Sequence, residues 1–133
     1  MPQYWLLKTE PSTYSIGDLE RERRTTWDGI KNALALIHLR SMSPGDGVLV
    51  YHSGKDKAVV GRGTVDSEPR TSGKLTEVDV RFGARLPVPV TLAQIKATST
   101  LGGLPLIRHT RLSVMPVTRE EWNTLLELGA SRG

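Results

Sequence analysis

Gly47-Val48-Leu49-Val50-Tyr51-His52, Ala58-Val59-Val60-Gly61-Arg62-Gly63-Thr64-Val65 and Leu75-Thr76-Glu77-Val78-Asp79-Val80-Arg81-Phe82 are the segments whose reading decides the fold. The first is an apolar run rich in β-branched and aromatic residues. The last alternates Val78, Val80 and Phe82 with Asp79 and Arg81, the period of two expected of a half-buried strand. The loops between the three are too short for crossover helices, so they should pair antiparallel and form the centre of a sheet. Gly61 and Gly63 lack the third glycine and the strand-to-helix setting of a dinucleotide motif. Inside a strand they mark a bulge, a barrel bend, or a close approach of another backbone or a ligand.

Outward from this centre, Tyr4 to Lys8 reads as a short strand that ends before Glu10-Pro11-Ser12, because proline removes a donor and restrains its predecessor. Ser15 followed by Asp18 starts a helix from Ile16 to about Arg23. Asn32 to Arg40 is a second helix, apolar almost all round, and Pro44-Gly45-Asp46-Gly47 stops it. Arg70 to Lys74 reads as a hairpin loop. Thr91 with Gln94 and Thr118 with Glu121 are capping-box signatures for a helix through Lys96 and for a C-terminal helix. Arg111 to Val117 is a further strand. Trp122, Leu125, Leu126 and Gly129 share one face of the last helix, a core-packing pattern. Residues 1–133 are expected to form one α+β domain, with the sheet curled into a barrel.

Composition narrows the function. Lys and Arg outnumber Asp and Glu by 18 to 14, a net charge of +4 that suits an anionic partner. No basic run exceeds Arg23-Arg24, so phosphate contacts should be few. The absence of cysteine excludes disulfides and thiolate metal sites. His38, His52 and His109 lack ligand spacing, and no metal or other cofactor is expected. No segment approaches the roughly 20 apolar residues of a membrane span, so a soluble, cytoplasmic protein is expected, nuclear if the source is eukaryotic.

Candidate contacts cluster where strands end. His52 and Ser53 terminate an apolar strand and could line a pocket mouth, although neighbouring strand residues face opposite ways and His52 is poorly placed to activate Ser53. Lys8-Thr9-Glu10-Pro11-Ser12 ends the first strand similarly, which suggests one shared site. Arg108 and Arg111 could grip phosphate or stack on a base. Trp27 lies in Thr25-Thr26-Trp27-Asp28-Gly29-Ile30-Lys31-Asn32, where neither a helical nor a strand period accounts for it. It either plugs a core from a loop or offers a flat face to a ligand.

The strings Tyr4-Trp5-Leu6-Leu7-Lys8-Thr9-Glu10-Pro11-Ser12-Thr13-Tyr14-Ser15 and Thr26-Trp27-Asp28-Gly29-Ile30-Lys31-Asn32 resemble those of the EVE-domain family. Val48 to Ser53, Val59-Val60-Gly61, Val78 to Phe82 and Arg111 to Val117 resemble its later segments in the same order. The resemblance implies a PUA-like fold, a mixed, largely antiparallel β-barrel flanked by short helices and related to YTH domains. It implies a non-catalytic reader that takes a modified base of DNA or RNA into a pocket. Trp27 would then be the stacking platform and Asn32 the reader of the base edge, with Ser12, Tyr14, His52 and Ser53 on the rim. Lys8, Arg111 and Ser113 would hold a flanking phosphate or the far side of the base.

Two departures bear on the ligand. Ala33, Leu34, Leu36 and Ile37 stand where family members often carry an aromatic, a Gln and further polar residues. The connection from Val65 to Leu75 is short where many relatives have an insertion. The apolar replacements could instead form a protein contact, so a monomer or weak homodimer is expected. Two other functions compete: a small hydrolase or nuclease using His52, Glu10 or Asp28 as general base, and a protein-interaction adaptor using the Ala33 to Ile37 face.

Overall fold

In the computed structural model, residues 2–130 are described. In chain order the strands are β1 (Tyr4–Thr9), β2 (Arg24–Trp27), β3 (Gly47–His52), β4 (Ala58–Val65), β5 (Arg70–Ser72), β6 (Leu75–Thr91) and β7 (Val114–Val117). The helices are α1 (Ile16–Glu22), α2 (Ala33–Arg40), α3 (Leu92–Ala97), α4 (Pro105–Arg108) and α5 (Arg119–Leu128), with a 3-10 turn at Ser99–Leu101.

Strand order is β2-β6-β4-β3-β1-β7, with β5 paired to β6. Every pairing is antiparallel except β1 with β3, whose register runs from Tyr4 opposite Gly47 to Thr9 opposite His52. A parallel pair needs a long connection, here supplied by α1, β2 and α2. The expected α+β class and largely antiparallel sheet are observed. The sheet is open, however: its outer strands β2 and β7 do not pair, so it is not a hydrogen-bonded closed barrel.

The core lies around the central strands, where Leu6, Leu7, Val48, Leu49 and Val59 are fully buried. α5 adds Leu125, and Trp122 stacks on Tyr4 with ring centroids 4.6 Å apart, so the core role expected of Trp122 holds. Gly63 lies at an irregularity in the β4–β6 register, and a Cβ there would sit on the Arg81 carbonyl oxygen. The Gly-Arg-Gly run therefore serves close backbone approach and bending, as bulged strands require.

Four segments depart from the sequence reading. β6 continues nine residues past Phe82, to Thr91, despite Pro87 and Pro89. Both prolines lie where the ladder breaks, between Arg85 opposite Gly61 and Val90 opposite Val59, so their missing donors leave no pairing unmade. The last strand begins at Val114, not Arg111, because Leu112 N–H donates to the His109 carbonyl in a turn that follows α4. Arg70 to Ser72 is a strand, and the hairpin loop shrinks to Gly73-Lys74. Trp27 is the last residue of β2, paired with Val78, and not a loop residue.

Candidate nucleic-acid interface

The ends of β1 and β2 and the turn between β1 and α1 enclose a cleft of about 410 Å³, within the ~300–1,000 Å³ typical of small-ligand sites. Its lining comprises Lys8, Thr9 and Glu10 from the β1 end, Thr13 and Tyr14 from the turn, and Thr25 to Asp28 with Ile30. Pro11 ends β1. The amides of Thr13 and Tyr14 both donate to the Glu10 carbonyl at 2.9 Å, and Thr9 Oγ1 donates to the Tyr14 carbonyl at 2.8 Å. These bonds fold the turn back and present the Tyr14 ring edge-on to Trp27, 5.9 Å between centroids and at 89°. Such T-shaped contact is a favoured geometry for an aromatic pair, and within it Trp27 is only 7% exposed.

Most polar groups of the cleft are already engaged. Lys8 Nζ donates to the Thr110 carbonyl at 2.8 Å, and burial lowers its pKa. Glu10 Oε1 accepts from both the amide and the hydroxyl of Ser12. Tyr14 Oη donates to Glu22 at 2.6 Å; burial, reinforced by that carboxylate, raises its pKa to about 12 and keeps the phenol neutral. Thr26 Oγ1 donates to Asp79. Among the described residues the Asp28 carboxylate makes no hydrogen bond or ion pair. The Trp27 indole N–H has no protein partner either. Among the described residues no fully buried side-chain polar atom goes unpartnered, so that N–H is not wholly buried, although the residue is only 7% exposed.

The structure brings together Trp27, Tyr14 and Lys8 and separates the other expected residues from them. His52 is buried away from the cleft lining. Its Nε2 accepts from the Ile16 amide at 3.0 Å, so the ring proton sits on Nδ1, facing Asp56 Oδ2 at 3.0 Å. It thereby satisfies an amide in the first turn of α1, which otherwise lacks a helical partner. Ser53 is tied to β1 through its amide, which donates to the Thr9 carbonyl. Ser12 is exposed and bound to Glu10. Asn32 is the N-cap of α2, its Oδ1 accepting from the Ala35 amide at 3.0 Å, which leaves its amino group and one lone pair of Oδ1. It lines a separate cleft of about 280 Å³ with Leu34, His109, Thr110 and Arg111. That cleft adjoins the first through the Lys8–Thr110 contact. The Ser113 carbonyl accepts from the Lys8 amide.

Sequence reading passed over Thr13 and Thr25 as lining residues. The one available signal was the alternation of Thr25 and Trp27, which share a face of β2. A larger depression of about 620 Å³ lies at the far end of β1, lined by Pro2, Tyr4, Trp5, Pro116 and Val117, with Gln3 and Arg119 its polar side chains. It has no converging set of polar groups. Among the described residues no three His, Cys, Asp or Glu side chains are grouped to hold a metal ion, and no helix is long and apolar enough to cross a membrane.

Comparison with known proteins converges on one family. Residues 3–128 match the model of the EVE domain. Thymocyte nuclear protein 1 of Rattus norvegicus is 29% identical across 96% of this chain and 74% of its own length. That alignment spans 167 positions, more than this chain contains, so the relative carries inserted residues. Among solved structures, Rpa0253 from Rhodopseudomonas palustris is 36% identical, with a TM-score of 0.90 over 96% of this chain and 92% of its own. Human THYN1 protein, solved in complex with 5-methylcytosine-containing DNA, is 26% identical, with a TM-score of 0.91 over 98% of this chain and 99% of its own. With its PUA-like architecture and a match spanning nearly its whole length, the chain belongs to the EVE-domain family.

Proposed function

We propose that this chain is a non-catalytic nucleic-acid-binding module that takes one modified base, turned out of its stack, into the cleft walled by Trp27 and Tyr14. The observation that carries this reading is the pairing of that aromatic corner with the Asp28 carboxylate, which has no partner among the described residues. The complex of human THYN1 with 5-methylcytosine-containing DNA makes methylated DNA the first ligand to try. A base lying on Trp27 would gain stacking of ~1–3 kcal/mol. Asp28 can only accept hydrogen bonds, so it favours a base edge carrying an exocyclic amino group, as in cytosine or adenine, over the keto edge of thymine. Tyr14 closes the cleft, and Lys8, Asn32 and Arg111 lie along the path toward the neighbouring cleft, where a flanking phosphate would run.

The hydrolase alternative loses its histidine, since both ring nitrogens of His52 are engaged. The adaptor alternative keeps one supporting observation: Leu34 and Ile37 on α2 are 44% and 50% exposed. The deciding experiment is a tryptophan-fluorescence titration with oligonucleotides that differ only in one modified base. Quenching confined to one modification and abolished in Trp27→Leu supports the base cleft. Self-association lost in Ile37→Glu, with no response to any oligonucleotide, favours the adaptor.

A further inference from the structure

The β5–β6 hairpin stands beside the proposed base cleft and carries the most exposed large apolar side chain among the described residues, Leu75 at 58%. A single exposed leucine is ordinary on a protein surface. This one differs in its support and in its position.

The stem of the hairpin is braced on several sides. The Arg70 guanidinium contacts Glu77 at 3.0 Å and both oxygens of Asp79 at 2.8 and 3.2 Å. Thr71 and Thr76 hydroxyls meet at 3.1 Å, and Arg40 of α2 reaches Thr76. The turn is only Gly73-Lys74, with Gly73 at φ 62, the positive φ that suits a two-residue connection with glycine first. Leu75 is therefore held out by a stiff stem, so presenting it to a partner costs little ordering entropy.

Position supplies the second observation. Trp27 pairs with Val78, and Leu75, the first residue of β6, stands three positions before Val78, roughly 10 Å away at the strand rise and on the opposite face of the strand. The chain leaving β2 runs beside it: Asp28, Gly29 and Leu75 together line a depression of about 320 Å³ that shares Asp28 with the base cleft. Lys74, at the tip, makes no ion pair with a carboxylate among the described residues. An apolar tip beside an unpaired cation, next to a base-sized cleft, has the chemistry of a side chain that enters a base stack while its neighbour meets the phosphate.

Resting on the base-cleft reading above, we propose that Leu75 is a wedge: it fills the gap left in a DNA duplex when the modified base turns into the Trp27 cleft. The wedge is needed only where a stack must be opened. A single strand, whose base is already free, gains nothing from it.

The test compares the intact chain with Leu75→Ala and Leu75→Phe, using a short oligonucleotide with one 5-methylcytosine, as a duplex and as a single strand, each beside its unmethylated counterpart. Leu75→Ala should bind the methylated duplex about tenfold more weakly while its single-strand affinity changes less than about twofold, and Leu75→Phe should retain duplex binding. A 2-aminopurine placed next to the 5-methylcytosine should brighten with the intact chain and less with Leu75→Ala. Unchanged duplex binding by Leu75→Ala, or equal loss on both ligands, overturns the wedge while leaving the cleft standing. No preference of the intact chain for methylated over unmethylated single strand overturns 5-methylcytosine as the base taken into the cleft, and with it the wedge proposed for the methylated duplex.

Discussion

Two buried tryptophans separate two kinds of site. Trp5 is 4% exposed and Trp27 7%, and both lie on strands. The Trp5 indole donates to Asp46 Oδ2 at 3.0 Å, and the same carboxylate accepts from the amides of Gln3 and Ser43. Trp27 has Asp28 beside it in sequence, yet neither the indole N–H nor that carboxylate has a partner among the described residues. Burial alone does not distinguish the two rings, whereas the state of their hydrogen bonds does. A region built for stability closes its polar groups on one another. The cleft proposed for a ligand leaves open the indole N–H of Trp27 and the carboxylate of the exposed Asp28.

The strongest attempt to break this contrast is Asp46→Ala, which strands three donors at once. Unfolding stability, measured in urea, should fall on the order of 3 kcal/mol, with nucleic-acid affinity unchanged wherever the protein remains folded. Trp27→Leu keeps apolar volume and removes the aromatic face. Affinity for the modified base should drop by ~1–3 kcal/mol in a binding titration, with less loss of stability than Trp27→Ala. If Trp27→Leu binds as tightly as the intact chain, Trp27 belongs with Trp5.

Asp28→Asn sharpens the same contrast from the polar side. The amide both donates and accepts, so preference for a 5-methylcytosine oligonucleotide over its thymine equivalent should shrink by about 1 kcal/mol, with the thermal midpoint unmoved. The smallest effect belongs to a second closed cluster. Hydrogen bonds from Arg70 first, then from Thr26, with Arg24 nearby, hold the Asp79 carboxyl at a pKa of about 2. A depressed carboxylate pKa stabilises the fold above the unfolded value near 4 and loses that contribution as pH falls toward 2. Because both arginines are about half exposed, the contribution should be about 1 kcal/mol or less. Urea midpoints of Asp79→Asn should therefore decline less steeply than those of the intact chain between those pH values.

Much of the fold was legible because its signals are local. β3 and β4 have the bounds read from their β-branched runs, and the capping boxes at Thr91 and Thr118 start α3 and α5 where the sequence indicates. The strand read as ending at Phe82 runs on to Thr91 through Pro87 and Pro89, since a proline is tolerated wherever a strand leaves its ladder and no local pattern announces that break. The site was legible only in part. Trp27, Tyr14 and Lys8 meet in one cleft, while His52 and Asn32 spend their acceptors on α1 and α2.

By itself the sequence determined the class of the chain, its family and the place of most elements, because strand period, helix caps and turn residues act within a few positions of one another. Tertiary structure alone decided which way the polar groups face. Trp27 reaches its cleft through pairing with Val78, and Arg24 closes on Asp79 across 55 residues. Such contacts depend on strand register, and register is a property of the whole sheet, not of any one segment.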